Sequence, residues 1–450
     1  MRINRPASPF PLQHPAPMLR ILLVLVLGFG FLTPGQETRA APSSPPRISP
    51  EAAGFSPSRL ERIDARMQEA VDAGVMVGGH ALIARDGKVV YDELWGQADR
   101  ENGKPLEHDT LYRIYSMTKP ITSVALLMLY EEGRFLLEDP VAAYLPELAN
   151  LRILRETPEG EMEAATPLRQ PTIRDLLRHS AGLTYGVFGD TAVDRRYREA
   201  DIFRAASLEE FTDKLGQLPL LFEPGTRWHY SVAVDVQGRL VEVIAGMPFG
   251  EFLHSRIFAP LGMDDTSFVV PNAKQERLAQ LYSPAGTELS WDQPWQFSTE
   301  TELVPADPEL TRPYLDGSLF ESGGAGLVST SEDYLRFALM LAGGGAYNGV
   351  RLLAPGTVRH MQGNHIQGMD RSGLWGMGAF GLGVGVTGDP AGANGELGSE
   401  KAYGWGGAAG TNFWVDPENN IVGLFMVQSV PHQTPLAKRF RVLTYQAFME

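Results

Sequence analysis

Strand-forming runs lie near the two ends of this chain and helix-forming runs lie between them, an order that constrains the fold more than any other feature. Near the start, Gly79 to Ala84 and Lys88 to Leu94 are rich in β-branched and apolar residues. They are joined through Asp86-Gly87, a dipeptide suited to a two-residue hairpin turn. Near the end, Gly326 to Ser329 is a further strand signal, and Thr411 to Val415 and Ile421 to Val427 flank Asp416-Pro417-Glu418-Asn419-Asn420. Between and around them the pattern is helical. Ser58 to Ala73 carries Leu60, Ile63, Met67, Ala70 and Val71 on one stripe and stops at Gly74. Ile121 to Tyr130 is apolar nearly all round, which predicts a buried helix ended by Gly133. Ile173 to His179, Val232 to Ala245 and Leu436 to Phe448 complete the clearest helices. The expected fold is therefore α+β: one antiparallel sheet assembled from both ends of the chain, flanked by helices, with a mainly helical inserted region. The α/β region is expected at about 50–138 and 316–450, the helical region at about 139–315, and a ligand cleft between them.

The first forty residues belong to a different regime. Met18-Leu19-Arg20 precedes the uncharged run Ile21 to Leu32, and Thr38-Arg39-Ala40 follows with a Pro/Ser-rich stretch behind it. A basic start, a short apolar core and a small-residue exit predict a signal peptide over 1–40, cut after Ala40, leaving the folded domain at 41–450. The core is short for a membrane span, so an uncleaved anchor is the weaker reading, and either Met1 or Met18 could be the start. The expected location is periplasmic or secreted. Absence of cysteine excludes a lipid-modified cysteine, disulfides, thiolate metal sites and a cysteine nucleophile. Loss of residues 1–40 removes four arginines and Glu37, which takes the formal charge from −15 to −18. Such acidity argues against nucleic acid or an anionic membrane as a partner and leaves a small-molecule substrate.

Three segments carry chemistry. Ser116-Met117-Thr118-Lys119 sets a hydroxyl and an amine three residues apart, on one face if a helix begins near Ser116. A serine is a poor nucleophile until a neighbour takes its proton. A lysine can do so only when neutral, and a helix N-terminus and burial are the two means such a position offers. None of the other lysines has a serine three residues before it. In Glu223-Pro224-Gly225-Thr226-Arg227-Trp228-His229-Tyr230-Ser231, Tyr230 sits on a loop entering the next helix, where a tyrosine beside a cation can serve as a base. The third segment, Tyr403-Gly404-Trp405-Gly406-Gly407-Ala408-Ala409-Gly410-Thr411, is small enough for the backbone to approach a ligand and offer an N–H to an oxyanion. Taken singly, each also fits an ordinary explanation: chance spacing, a packing aromatic, a strand bulge.

In this order and separation the three segments resemble the serine β-lactamase and penicillin-binding-protein superfamily, over most of the chain from about Phe55. Thr172-Ile173-Arg174-Asp175-Leu176-Leu177-Arg178-His179-Ser180-Ala181-Gly182-Leu183 and Phe258-Ala259-Pro260-Leu261-Gly262-Met263 also look like the family. Within it the chain is most similar to family VIII carboxylesterases, which are themselves similar to class C β-lactamases. Val232 stands where the lactamases carry asparagine in Tyr-x-Asn, and the run from Tyr230-Ser231 into Asp235-Val236 looks like the esterases. Trp405-Gly406-Gly407 stands where the lactamases carry Lys-Thr-Gly. The resemblance implies Ser116 as nucleophile, Lys119 and Tyr230 sharing the proton work, and an acyl-serine intermediate. It also implies an oxyanion hole from the backbone N–H groups of Ser116 and Ala408, with Trp405, Gly406 and Gly407 against the substrate. No metal or other cofactor is expected, since the nine histidines show no paired ligand spacing. The absence of a Gly-x-Ser-x-Gly elbow counts against the α/β-hydrolase route to esterase activity. The expected activity is hydrolysis of short-chain esters. A class C-type β-lactamase or D,D-peptidase is the nearer alternative, and a non-catalytic ligand-binding homologue the more distant one.

Overall fold

The computed structural model describes residues 44–157, 161–374, 377–391 and 397–450, so the signal segment expected at 1–40 lies outside the described residues. Its main sheet has eight strands, all antiparallel. Their order across the sheet is Ala379–Phe380, Gly385–Val386, Tyr403–Gly406, Asn412–Asp416, Ile421–Val427, Gly78–Arg85, Lys88–Asp99 and Lys104–Pro105. The join between chain ends is the pairing of Gly78–Arg85 with Ile421–Val427, in the register His80 opposite Met426 and Leu82 opposite Leu424. The Asp86-Gly87 turn has positive φ at both residues (49° and 76°), as a two-residue hairpin with the right twist requires. Its second strand runs on to Asp99, five residues past the expected Leu94.

Both faces of this sheet are covered, which explains why its central strands read as continuous apolar runs rather than alternating ones. Ala81, Ile83 and Phe425 face a core filled by Leu60, Ile63 and Met67 of the helix Pro57–Asp72 and Phe440 of the helix Leu436–Ala447. Leu82, Ala84, Leu424 and Met426 face the larger core, built around the helices Thr118–Glu131, Ala233–Ala245 and Ser331–Ala342. The helix Thr118–Glu131 is buried from Thr118 to Leu129 without a break, matching its unstriped sequence. Between residues 139 and 315 helices predominate, with two short hairpins, Ile153–Glu156 with Met162–Ala165 and Tyr282–Pro284 with Leu303–Pro305.

Two expected elements differ in detail. Gly326 to Ser329 contributes only Val328–Ser329, which pairs with Tyr112–Arg113 outside the main sheet. The helix expected over Ile173 to His179 ends at Leu177, because Asp175 draws the chain round itself. That carboxylate accepts from Arg169, Arg178, the Ser180 hydroxyl and Thr172. Burial pushes its pKa up, but the bonds from Arg169, Thr172 and Arg178 outweigh burial and bring it to about 2. His179 follows in the left-handed region at φ 54°.

Candidate active site

Ser116 does not sit in the first turn of an α-helix. It lies in a 3-10 turn, Tyr115–Met117, immediately ahead of the helix that begins at Thr118. The turn is entered through Tyr115 at φ 42°, a left-handed conformation costing a non-glycine residue about 1 kcal/mol or more. Packing over-determines it. The Tyr334 hydroxyl donates to Met117 O at 2.9 Å, and Leu327 N–H donates to the Thr118 hydroxyl at 3.2 Å. Tyr115 lies edge-on to Tyr314, with ring centres 6.1 Å apart. The result is a fixed, half-buried serine with a fully buried lysine one turn on.

Three side chains from distant parts of the sequence meet here. Lys119 Nζ donates to Ser116 Oγ at 3.1 Å, and the Tyr230 hydroxyl donates to the same oxygen at 2.7 Å. Lys119 Nζ also donates to Gly324 O at 2.6 Å and lies 4.6 Å from the centre of the Tyr230 ring and 5.4 Å from that of Tyr185. Ser116 Oγ therefore has two proton-carrying neighbours.

The Gly324 carbonyl is itself held. Asp235, buried in the helix that follows Tyr230, accepts from Gly324 N–H at 3.0 Å and from the Ser322 hydroxyl at 2.5 Å. Burial raises its pKa, opposed by the Ser322 bond and by the nearby Lys119 charge. Asp235 thus fixes the backbone that receives the lysine. The residue is legible in the sequence, but nothing there connects it with Gly324, which lies 89 positions away.

The Tyr230 loop is positioned by His179. Ser231 N–H donates to His179 Nδ1 at 3.3 Å, His229 N–H donates to His179 O at 2.8 Å, and the imidazole lies 5.0 Å from the Tyr230 ring centre. A ring nitrogen that accepts is unprotonated. Consistently, burial holds the His179 pKa well below its ordinary value, and Lys119 and His229 add to the effect. Burial brings His432 and His365 down to about 4.

An unfolded chain has ordinary histidines near 6.5 and takes up protons that these buried rings refuse, so stability is lost as pH falls from about 6.5 towards 4. Between pH 7 and 5 a single such histidine accounts for roughly 2 kcal/mol. The melting temperature is expected to drop over that interval, and His432→Gln to remove part of the drop. A melting temperature unchanged from pH 7 to 5 would contradict this.

The third segment closes the site from the sheet edge. Gly407 follows the strand Tyr403–Gly406 and passes the nucleophile turn so closely that a Cβ there would lie 2.4 Å from Ile114 O and 2.3 Å from the Thr411 hydroxyl. Only glycine fits. Ala408 and Tyr115 both pack against the cluster Leu281, Ala306, Ala409 and Val430. Gly406 is half-buried at the strand end. Trp405 is buried on the core side, 5.7 Å from the Tyr230 ring and edge-on to Phe380 at 5.3 Å, and its indole N–H finds no acceptor among the described residues. It backs the Tyr230 ring.

Among the described residues one group of side chains gathers possible metal ligands, His80, Asp92 and His108, with ligand atoms within 4.8 Å of one another. Asp92 there is also bonded by Arg47, and none of the three belongs to the Ser116 cluster.

Comparison with known proteins finds similarity over most of the chain. The Beta-lactamase family model matches residues 63–447. Protein Rv1367c of Mycobacterium tuberculosis is 33% identical over 385 residues, covering 83% of this chain and 90% of that protein. Esterase EstB of Burkholderia gladioli is 32% identical over 389 residues, covering 84% and 91%. Among solved structures, EstCE1, described as a hydrolase with promiscuous acyltransferase activity, superposes with a TM-score of 0.69 at 27% identity, covering 86% of this chain and 99% of that one.

Proposed function

The chain belongs to the beta-lactamase family, and from that premise we propose that it is an exported serine hydrolase that cleaves short-chain carboxylic esters through an acyl-serine intermediate. The observation that carries the reading is Ser116 Oγ bonded by both Lys119 Nζ and the Tyr230 hydroxyl. Once either neighbour is in its basic form it takes the serine proton, and Oγ attacks the ester carbonyl. Charge develops on the carbonyl oxygen, where the N–H groups of Ser116 and Ala408 receive it. Collapse of the tetrahedral adduct breaks the bond to the alcohol oxygen, which takes the proton from Tyr230 or Lys119 and leaves. Water then attacks the acyl carbon and gives up a proton to the same pair; the bond to Ser116 Oγ breaks, Oγ takes that proton back, and the acid is released. The apolar run 21–32, with its basic start and small-residue exit, supports export. Among the described residues no helix is long and apolar enough to cross a membrane.

Esters are favoured over lactams by the third segment. Penicillins and cephalosporins carry a carboxylate, which a lysine meets in the lactamases that the sequence resembles; here Trp405 and Gly406 stand there. A carboxylate brought to this strand end loses water without gaining a counter-charge, whereas a neutral ester avoids that cost. The similarity to EstB, an esterase, points the same way. The specificity constant for an aryl butyrate is expected to exceed that for nitrocefin by at least about a hundredfold, or ~2.7 kcal/mol of transition-state binding. Comparable constants for the two substrates would replace the esterase reading by a lactamase.

A further inference from the structure

A circuit of aromatic rings begins and ends at Tyr230. Tyr230 meets Phe188 at 6.1 Å between ring centres, and Phe188 meets Trp295 at 5.2 Å and nearly edge-on. Trp295 meets Trp291 at 5.2 Å, and Trp291 stacks on Phe203 at 4.0 Å. Phe203 stacks on Tyr185 at 6.0 Å, which returns to Tyr230 at 5.2 Å. Phe297 extends the circuit outward from Trp295, at 6.4 Å.

Exposure rises outward along this array. Tyr185 is buried, whereas Phe188 is 45% exposed and Phe297 51% exposed. Phe188 lies one ring from Tyr230, and Phe297 two contacts further out through Trp295, so partly exposed aromatic surface runs outward from the ring that bonds Ser116. The segment that carries the tryptophans is built rather than loose. It connects the strands Tyr282–Pro284 and Leu303–Pro305. Ala285 N–H donates to Glu302 O at 2.9 Å, and Glu288 and Gln296 exchange backbone bonds of 3.3 and 3.2 Å. Trp295 N–H donates to Val187 O at 3.1 Å, which fixes the loop directly against Phe188. The rings are therefore held in place before any ligand arrives, so little ordering remains to oppose binding.

We propose that Phe188, Trp295 and Phe297 form an outer shelf that binds a planar aromatic group of the substrate, selecting esters with fused or extended aromatic rings. This rests on Ser116 being the nucleophile, because Phe188 packs against Tyr230, whose hydroxyl bonds Ser116 Oγ. Edges and faces presented together suit a flat π-system better than a flexible alkyl chain. The aromatic group can come from the alcohol half or the acyl half of the ester.

The test compares kcat/KM for 2-naphthyl acetate and for ethyl 2-naphthoate, each relative to ethyl acetate, in the wild type, Phe188→Ala and Phe297→Ala. At least one of the two ratios is expected to fall about tenfold or more in Phe188→Ala and less in Phe297→Ala; the one that falls identifies the half of the ester on the shelf. Ratios that stay at their wild-type values in both variants would overturn the shelf while leaving the hydrolase intact. A second readout is independent of turnover. In calorimetry on the Ser116→Ala protein, binding of 2-naphthyl acetate and ethyl 2-naphthoate is expected, and the ester that uses the shelf weakens at least about fivefold when Phe188→Ala is added. If the wild type cleaves no ester and this weakening is still seen, the shelf stands and the hydrolase reading fails. If neither ester loses affinity, the shelf is overturned.

Discussion

Replacing Ser116 by alanine is expected to reduce ester turnover to less than about a hundredth of the wild-type rate while leaving the fold in place. The two halves of that result have separate causes. The hydroxyl is the atom on which Lys119 and Tyr230 converge, so its loss removes the nucleophile and not merely a contact. The fold should tolerate the change because Ser116 is half-buried and its turn is fixed by others: Tyr115 against Tyr314, Tyr334 on Met117 O, and Leu327 on the Thr118 hydroxyl. Lys119 keeps the Gly324 carbonyl as an acceptor, so the buried amine is not left without a partner. Steady-state kinetics with an aryl butyrate, together with circular dichroism, checks both halves. Retention of more than about a hundredth of the activity in a folded variant would remove Ser116 from the role proposed for it.

Lys119→Arg is expected to be nearly as damaging as Lys119→Ala, each costing about a hundredfold or more in kcat. Arginine keeps a positive charge but cannot give up its proton at working pH, so it cannot act as a base. It must also fit a site in which the lysine is fully buried between the Tyr185 and Tyr230 rings and the Gly324 carbonyl. Tyr230→Phe removes only the phenolic oxygen, 2.7 Å from Ser116 Oγ, and should cost a similar order. The ring remains against Trp405, Phe188 and His179, so the loop should keep its place. Substantial activity in Lys119→Arg, above about a tenth of wild type, would reduce the lysine to a point charge and leave Tyr230 as the base.

Much of this arrangement is legible in the sequence, for reasons that differ by element. The Asp86-Gly87 hairpin is readable because the local turn dictates it, and the helix Thr118–Glu131 because its apolar residues surround it. The closing of the sheet by both chain ends follows from the order of the strand signals. Ser116, Lys119 and Tyr230 stand out through residue type and context, and the structure brings all three together. What could not be read depends on contacts distant in sequence. Nothing local marks Gly324 as the acceptor for Lys119, Asp235 as its support, or His179 as the brace of the Tyr230 loop. The left-handed Tyr115 is invisible for the same reason: tertiary packing, and not the residue's own preference, imposes that conformation. The helix ending at Leu177 shows the converse, a regular apolar pattern overridden by a buried carboxylate that gathers its own hydrogen-bond donors.

The covalent step is the centre of the account, and mass spectrometry reads it directly. Intact protein treated with a fluorophosphonate is expected to gain one phosphonyl group, and digestion should place it on the peptide containing Ser116. No such gain is expected for Ser116→Ala, and a much slower one for Tyr230→Phe. A label on a different residue, or equal labelling of the wild type and Ser116→Ala, would contradict the mechanism.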